Sequence, residues 1–331
     1  KDGKFSLDVV AQRLSQILNQ DVNFVEDCVG DKVLDAVENL ANGSVVLLEN
    51  VRFYSEETDN DLEFANSLGS FADVFVNDAF GTAHRAHAST TIVAQFFPKA
   101  KYFGFLLAQE IHAIDRVMST GEKPVLAVLG GAKVSSKITI IENILDKVDH
   151  LIIGGGMSFT FAKAMGGQIG NSICEDDKQE LALSILRIAK EKGVQIHLPT
   201  DVVAGDRFSN EANKQIFPID HIPDGWEGMD AGPESVLAFR EVVLQSKTIL
   251  WNGPLGVFEF SHFSQGTIAL GEAISASTKK GAFSVVGGGD SVAAVKQFNM
   301  ENEVSYVSTG GGAMLESLEG KTLPGIAAIM A

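Results

Sequence analysis

The chain has 331 residues, which is long enough for two domains because single hydrophobic cores rarely grow beyond roughly 250–300 residues. Its formal charge of −17 disfavours nucleic acid as a partner, since an acidic surface repels a polyphosphate backbone. No apolar run approaches the roughly 20 residues of a membrane span, so no membrane partner is expected. Only Cys28 and Cys174 are cysteines, in no metal-ligand spacing, and we expect a cytoplasmic protein.

Short β-branched runs alternate with amphipathic stretches, a pattern typical of a parallel sheet covered by helices. The predicted strands are Val45–Leu48, Val74–Val76, Val125–Leu129, Leu151–Ile153, Gln195–Leu198, Thr248–Trp251, Phe283–Val286 and Ser305–Val307. Most of them lie after residue 120, so the second lobe looks complete and the first looks short of strands. The predicted fold class is α/β, with two doubly wound parallel-sheet (Rossmann-like) lobes joined by a helix and the N-terminal lobe incomplete.

An apolar stripe marks the boundary between the two predicted lobes. It is formed by Leu107, Ile111, Ile114 and Met118, and it predicts a helix over residues 105–118. We therefore expect a first domain over 1–104, an interdomain helix over 105–118, a second domain over 119–318 and a tail over 319–331. The tail is too apolar to be free, so we expect it to pack back onto the protein.

Glycine-rich turns follow five of the six strands predicted in the second lobe. They are Gly130-Gly131, Gly154-Gly155-Gly156, Asn252-Gly253-Pro254, Gly287-Gly288-Gly289 and Gly310-Gly311-Gly312. Parallel strands share one carboxyl edge, where glycine lets the backbone approach a ligand and a following helix offers free N–H groups. Each turn alone is explained equally well as a tight strand–helix connection, but five together predict a phosphate-binding site.

Charged side chains on this edge suit phosphoryl chemistry. Lys133 and Lys137 follow the first glycine turn, and Asp290 stands at a helix start where it can hold Mg²⁺ together with phosphates. A lysine considered alone is more often a solvated surface charge. The P-loop pattern and the dinucleotide fingerprint are both absent, which weakens a dehydrogenase interpretation.

A basic cluster follows the two strands predicted in the first lobe. Arg52 comes after the first strand, and His84, Arg85 and His87 come after the second. Arginine forks match carboxylate and phosphate geometry, so the cluster predicts a pocket for a small anionic substrate. The alternatives are a surface histidine pair or a metal site, and Arg85 between the histidines disfavours the metal.

Several of these segments together resemble the phosphoglycerate kinase family. They are Leu48-Glu49-Asn50-Val51-Arg52-Phe53, the run from Asn77 to His87, Leu129-Gly130-Gly131-Ala132-Lys133-Val134, Trp251-Asn252-Gly253-Pro254, Gly287-Gly288-Gly289-Asp290-Ser291 and Ser308-Thr309-Gly310-Gly311-Gly312-Ala313. The likeness runs in order over essentially the whole chain. It implies a glycolytic kinase that transfers the 1-phosphoryl group of 1,3-bisphosphoglycerate to MgADP, giving 3-phosphoglycerate and ATP. It also implies a hinge-bending monomer whose tail returns to the first lobe.

The resemblance also implies roles for individual residues. Arg52, Arg85 and His84 would hold phosphoglycerate in the first lobe, and ADP or ATP would bind the second. The implied catalytic residues are Lys133, Gly310, Gly311 and Gly312, which would contact the moving phosphoryl group. The implied nucleotide-binding residues are Gly131, Ala132, Lys137, Gly155, Gly228, Met229, Asn252, Pro254, Glu259, Gly288, Gly289, Asp290 and Ser291. Asp290 would also bind Mg²⁺.

The sequence departs from the family at its beginning. Lys1-Asp2-Gly3-Lys4 resembles the sequence that follows a substrate-binding strand and a His–Leu–Gly–Arg segment, neither of which is present. We therefore expect a chain beginning at Lys1 to be nearly inactive. Two alternatives remain open here: a nicotinamide dehydrogenase on a similar fold, and a nucleotide-binding fragment without catalysis.

Overall fold

A computed structural model describes residues 3–331, and its contacts divide the chain into two compact units. Unit 1 is the stretch up to Ala108 together with Thr322–Ala331, and unit 2 is Gln109–Lys321. Lys1 and Asp2, on which the expectation about a preceding segment partly rests, lie outside the described residues. Within residues 3–331, no helix combines the length and the apolarity needed to cross a membrane.

Unit 1 contains two separate pairs of parallel strands. The strands are β1 (Val22–Val25), β2 (Val45–Leu48), β3 (Phe75–Asn77) and β4 (Lys101–Phe103), and β1 pairs with β2 while β3 pairs with β4. The helices that accompany them are α1 (Asp8–Leu18), α2 (Asp31–Glu38), α3 (Ser55–Thr58), α4 (Leu62–Gly69) and α5 (Phe105–Met118). Helix α5 has the predicted bounds, and the division between the units falls inside it.

The strand prediction for unit 1 was partly wrong. β2 has the predicted bounds and β3 is displaced by one residue, but β1 and β4 were missed. Asn23 interrupts the apolar residues of β1, and β4 is only a Lys-Tyr-Phe tripeptide. Neither offers the uninterrupted β-branched run from which buried strands are recognised.

The main sheet of unit 2 has six parallel strands in the order β15-β14-β13-β5-β6-β8. Their bounds are β5 (Val125–Leu129), β6 (His150–Ile153), β8 (Gln195–His197), β13 (Thr248–Asn252), β14 (Phe283–Val286) and β15 (Tyr306–Val307). The six strands predicted after residue 120 are these six, each within one residue at either end. The prediction succeeded because both faces of the sheet are covered, which makes β5 and β13 buried throughout.

Besides the part of α5 from Gln109 onward, seven helices of unit 2 are described. They are α6 (Ile138–Ile144), α7 (Met157–Ala164), α8 (Gln179–Lys192), α9 (Pro233–Gln245), α10 (Gln265–Lys279), α11 (Gly289–Gln297) and α12 (Gly312–Leu318). The side chains of Val128, Trp251, Phe239 and Ile274 join one buried cluster, which packs strands β5 and β13 against helices α9 and α10. This core fixes the ends of the central strands relative to one another.

A second, antiparallel sheet in unit 2 was not predicted. It has the order β10-β9-β12, with bounds β9 (Asp201–Gly205), β10 (Lys214–Pro218) and β12 (Glu227–Ala231), beside a small pair formed by β7 (Gln168–Ile169) and β11 (His221–Ile222). Acidic residues, glycine and lysine interrupt these strands, so their sequences look like loops. The sheet matters for function because β12 forms part of the cavity described below.

The tail ends in helix α13 (Pro324–Met330), which packs within unit 1. The N–H of Gly325 donates to the carbonyl of Ala83 at 2.9 Å, and Lys101 Nζ donates to the carbonyl of Ala328 at 2.9 Å. Ala83 directly precedes His84 and Arg85. The tail thus supports the segment that carries two of the predicted substrate residues.

Asp201 generates a stability prediction because its buried carboxylate caps helix α9. It accepts the backbone N–H of Ser235 at 2.7 Å and that of Glu234 at 3.1 Å. In Asp201→Ala these donors lose their partner, so we expect the free energy of unfolding to fall by about 2 kcal/mol in chemical denaturation. The control is Asp224→Ala, at an exposed loop position, with a change below about 0.5 kcal/mol. Equal losses in the two variants would contradict the capping role.

Candidate functional site

The five glycine-rich turns lie along one edge of the main sheet of unit 2. They follow β15, β14, β13, β5 and β6, which are five adjacent strands all running in the same direction. Their carboxyl ends therefore meet at one edge, as the sequence predicts. The sixth strand, β8, lies at the margin of the sheet and is followed by Leu198-Pro199 without glycine.

Two of these turns are in direct backbone contact, which only glycine permits. A Cβ atom on Gly130 would lie 2.0 Å from the carbonyl oxygen of Pro254. Gly253 has a φ of +120°, and a Cβ there would lie 2.3 Å from the carbonyl oxygen of Gly130. Side chains at either position would push the turns after β5 and β13 apart. These glycines therefore build the edge of the sheet rather than merely closing tight turns.

A cavity of about 370 Å³ opens beside these turns. The predicted nucleotide residues that line it are Gly131, Ala132, Gly155, Gly228, Met229, Pro254, Glu259 and Asp290. The wall also includes apolar side chains that the sequence did not single out as site residues, namely Phe159, Ile173, Pro199, Val202, Phe208 and Val257. Mostly apolar walls with a few polar groups at one side suit a planar heterocycle attached to a polar chain.

Lys137 is held at the sheet edge by a buried amide. Its Nζ donates to Oδ1 of Asn252, whose Nδ2 donates in turn to the carbonyl of Gly287 at 2.8 Å. Burial lowers the pKa of Lys137, and the nearby carboxylate of Asp290 opposes this effect. A partly desolvated ammonium group with one neutral partner is well suited to bind phosphate oxygens.

The turn after β14 places an acidic and a hydroxyl side chain at the start of α11. Asp290 is exposed and lines the cavity, whereas Ser291 is buried and its Oγ accepts the N–H of Gly253. Ser291 therefore supports the turn after β13. Within residues 3–331 no three His, Cys, Asp or Glu side chains form a metal-binding group. A single carboxylate fits Mg²⁺, which commonly combines one or two carboxylates with phosphate oxygens and water.

Glu110 fixes the turn that contains Gly310, Gly311 and Gly312. This residue of α5 is fully buried. Its Oε2 accepts a hydrogen bond from the hydroxyl of Ser308 at 2.8 Å, and its Oε1 accepts one from the N–H of Thr309 at 2.6 Å. Sequence reasoning missed Glu110, because a glutamate on an amphipathic helix is ordinarily a solvated residue. Gly311 and Gly312 are exposed, so their N–H groups face solvent, whereas Gly310 is buried and its N–H donates to Ser308 Oγ at 3.1 Å.

The predicted anion site of unit 1 is also brought together by the fold. Arg52 lies in a short 3-10 helix (Val51–Phe53) capped by Asn50, whose Oδ1 accepts the N–H of Arg52 at 3.0 Å. Arg52 and Arg85 are exposed, and His84 is half-buried with an Nδ1 atom that has no hydrogen-bond partner. The two exposed arginines can bind a small anion through charge-assisted hydrogen bonds, and His84 directly precedes Arg85 in the same segment.

The pKa of His87 depends on the charges of this cluster. Burial lowers the pKa of His87, the Glu57 carboxylate opposes the change, and Arg52, Arg85 and His84 lower the pKa further. Its Nδ1 lies 3.8 Å from Glu57 Oε1, which is an electrostatic contact too long for a hydrogen bond. The three predicted substrate residues therefore lie close enough to act on one imidazole.

Comparison with known proteins assigns the chain to a family. The sequence profile of phosphoglycerate kinase matches residues 1–321. The chloroplastic phosphoglycerate kinase of Volvox carteri is 52% identical over 328 residues, which cover 99% of this chain and 71% of that protein. The phosphoglycerate kinase of Porphyromonas gingivalis is also 52% identical, over 98% of this chain and 84% of the relative. The chain belongs to the phosphoglycerate kinase family.

Solved structures of phosphoglycerate kinases agree with this assignment. The enzyme from Coxiella burnetii superposes with a TM-score of 0.91 at 44% identity, covering 100% of this chain and 82% of that one. The enzyme from Pyrococcus horikoshii gives 0.81 at 31% identity, covering 98% and 82%. The predicted α/β, Rossmann-like fold and the predicted phosphoglycerate kinase function are confirmed. The inactive fragment is not favoured, because the relatives match nearly the whole chain.

One further acidic residue lines the cavity and was missed from the sequence. Asp230 is 4% exposed, and its carboxylate accepts the N–H groups of Gly266 at 2.8 Å and Ala231 at 2.9 Å. Burial raises the pKa of Asp230 from 3.8 to about 7, although these N–H groups oppose the shift. Asp230 ties the cavity wall in β12 to the first turn of α10.

The raised pKa of Asp230 predicts a pH dependence of stability. The contribution of protonated Asp230 to the free energy of unfolding is complete below the ordinary pKa of 3.8. It is lost as the pH rises towards the folded-state pKa of about 7. Asp230→Asn cannot titrate, so the Tm of the unchanged protein relative to this variant should fall between about pH 5 and pH 7 and level off above about pH 8. A Tm difference that is constant or rises over that range would contradict the assignment.

Proposed function

We propose that this chain binds phosphoglycerate in unit 1 and a magnesium-bound adenine nucleotide in unit 2, and transfers a phosphoryl group between them. In the glycolytic direction the donor is 1,3-bisphosphoglycerate and the acceptor is MgADP. In reverse, the carboxyl group of 3-phosphoglycerate accepts the phosphoryl group of ATP. One observation carries the proposal. The glycine-rich turns along the edge of the main sheet lie between an apolar cavity and the polar side chains of Lys137 and Asp290.

The adenosine part of the nucleotide is proposed to occupy the cavity. The partly buried backbones of Gly131, Gly155 and Gly228, with Met229 and Pro254, can provide close contacts to a flat ring, and Glu259 can accept a hydrogen bond from a ribose hydroxyl. Lys137 and the turns that contain Ala132, Asn252, Gly288, Gly289 and Ser291 then serve the phosphates. Asp290 would hold Mg²⁺, which supplies charge neutralisation to the phosphate oxygens.

Phosphoryl transfer needs positioning and charge stabilisation more than covalent catalysis. A β-phosphate oxygen of ADP attacks the phosphorus of the acyl phosphate, the bond to the carboxyl oxygen breaks, and 3-phosphoglycerate leaves as a carboxylate. Lys133 and the N–H groups of Gly311 and Gly312 are proposed to stabilise the oxygens of the moving group, while Gly310, whose N–H donates to Ser308 Oγ, shapes the turn that presents them. Arg52, Arg85 and His84 are proposed to hold the phosphoglycerate.

We propose that the protein is cytoplasmic and monomeric. The acidic charge and two widely separated cysteines fit a cytoplasmic protein, and the family resemblance favours a monomer. Sedimentation equilibrium at micromolar concentration tests the second point: one component of the mass of a single chain is expected, and a component of twice that mass would refute it.

Variants of the two units should affect different substrates. Arg85→Ala removes one guanidinium from the anion site, so we expect the KM for 3-phosphoglycerate to rise about 30-fold while the KM for ATP changes less than about twofold. Arg13→Ala, an exposed arginine elsewhere in unit 1, is the matched control and should leave both constants unchanged. An equal rise in both KM values would overturn the assignment of phosphoglycerate to this cluster.

Lys137→Met should affect the nucleotide side of the reaction. Loss of the ammonium group removes a charge that opposes the phosphates, so we expect kcat to fall about 100-fold in steady-state kinetics. Calorimetry should find unchanged affinity for adenosine, which has no phosphate. Lys190→Met on α8 is the control and should behave as the unchanged protein. If Lys137→Met kept normal turnover, or lost adenosine affinity as well, the phosphate role would be excluded.

A further inference from the structure

Glu175 holds the segment between the two lysines of the nucleotide unit. Its Oε2 accepts the N–H of Ser135 at 2.9 Å, and its Oε1 accepts the hydroxyl of the same serine. Ser135 stands midway between Lys133 and Lys137. We call residues 133–137 the lysine loop. Its exposed backbone has little packing of its own apart from the buried side chain of Val134.

The carboxylate of Glu175 is ionised while it makes these contacts. Burial alone would raise the pKa of Glu175, but the hydroxyl of Ser135 and the N–H groups of Ser135 and Val134 together lower it. A charged acceptor forms hydrogen bonds roughly twice as strong as a neutral one. The lysine loop is therefore fixed by charge-assisted bonds at its centre.

The neighbouring acidic residues have different partners. Asp176 pairs with Lys163 at 2.7 Å, and Asp177 pairs with Lys178 at 2.6 Å. Glu175 instead bonds to a serine and to backbone groups, so its contacts do not engage the ammonium group of either lysine in the loop. A carboxylate this near a proposed phosphate site repels the phosphates and so weakens their binding. Correct placement of the two lysines can offset that loss.

The backbone around Glu175 also reaches the nucleotide cavity. The N–H of Glu175 donates to Thr160 Oγ1 at 3.1 Å, which ties it to helix α7. Ile173, two residues earlier, lines the cavity, and Ser172 Oγ accepts the N–H of Gly228 in the opposite wall at 2.9 Å. One short segment, residues 172–175, thus connects the cavity wall with the lysine loop.

We propose that Glu175 is a positioning residue for phosphoryl transfer, which holds Lys133 and Lys137 towards the phosphates, while Ile173 of the same segment lines the cavity. The inference rests on the proposed function, since it assumes that the cavity takes adenosine and the lysines take phosphates. Glu175 touches neither substrate in this account and acts only through Ser135. Its loss should therefore impair phosphate contacts and leave the adenosine contacts intact.

Steady-state kinetics and calorimetry together test this role. In Glu175→Ala we expect kcat to fall about 10-fold and MgADP affinity several-fold, because lysines that are misplaced by about 1 Å lose much of their effect. Affinity for adenosine should change less than about twofold. Glu175→Gln keeps the size of the side chain and one acceptor oxygen. Its kcat and MgADP affinity should lie between those of the unchanged protein and Glu175→Ala. Asp177→Ala, the exposed neighbouring acid, is the matched control and should leave all three quantities unchanged.

A double-mutant cycle with Ser135→Ala separates positioning from a general loss of stability. If Glu175 acts through this serine, the single variant Ser135→Ala should have a lower kcat than the unchanged protein. Adding Ser135→Ala to Glu175→Ala should then lower kcat little further. Additive effects, or a parallel loss of Tm, kcat and adenosine affinity, would identify Glu175 as an ordinary structural cap. Normal kcat and MgADP affinity in Glu175→Ala would also overturn the proposal.

The outcome for the unchanged protein distinguishes this inference from the proposed function. If the unchanged protein transfers no phosphoryl group, the proposed function fails, and Glu175 is judged by binding alone. In that case a selective loss of MgADP affinity over adenosine affinity in Glu175→Ala still supports the positioning role. Absence of MgADP binding to the unchanged protein would overturn both.

Discussion

The buried amide of Asn252 is the interaction on which the proposed nucleotide site depends. It lies at the end of β13, binds Lys137 from the turn after β5 through its oxygen, and binds the carbonyl of Gly287 from the turn after β14 through its nitrogen. One side chain therefore joins three neighbouring turns. The parallel pairing of β13 with β5 and β14 brings the turns together, and backbone contact between Gly130 and Gly253 leaves no space for a side chain between two of them.

A protein with a net charge of −17 that binds two anionic substrates must keep its cations available locally. The structure does this by giving three acids of unit 2 partners other than lysine or arginine. Glu110 bonds to Ser308 and Thr309, Asp230 to backbone N–H groups, and Glu175 to Ser135. Each acid fixes a turn or wall of the site through N–H and hydroxyl groups. The nearby lysines keep donors that phosphate oxygens can use.

The parts predictable from the sequence were those with local, repetitive signals. Strands β5 and β13 are uninterrupted apolar runs because both faces are buried, and each of their turns carries glycine. The antiparallel sheet was missed because Asp230 and its neighbours in β12 resemble a loop. Glu110 was missed because its partner Ser308 lies 198 residues away, and Glu175 because it opens an acidic run that looks solvated. Contacts between distant segments leave no local pattern, so the supporting residues of the site were the ones lost.

The most direct test of the account is the transfer of the γ-phosphoryl group of ATP to 3-phosphoglycerate by the purified protein with Mg²⁺ present. We expect saturable formation of 1,3-bisphosphoglycerate and ADP in equal amounts, dependent on both substrates and abolished by chelation of the metal. Release of inorganic phosphate from ATP, without an acyl phosphate and regardless of 3-phosphoglycerate, would contradict the assignment of a phosphoglycerate acceptor to unit 1. No consumption of ATP at all would contradict the proposed transfer itself.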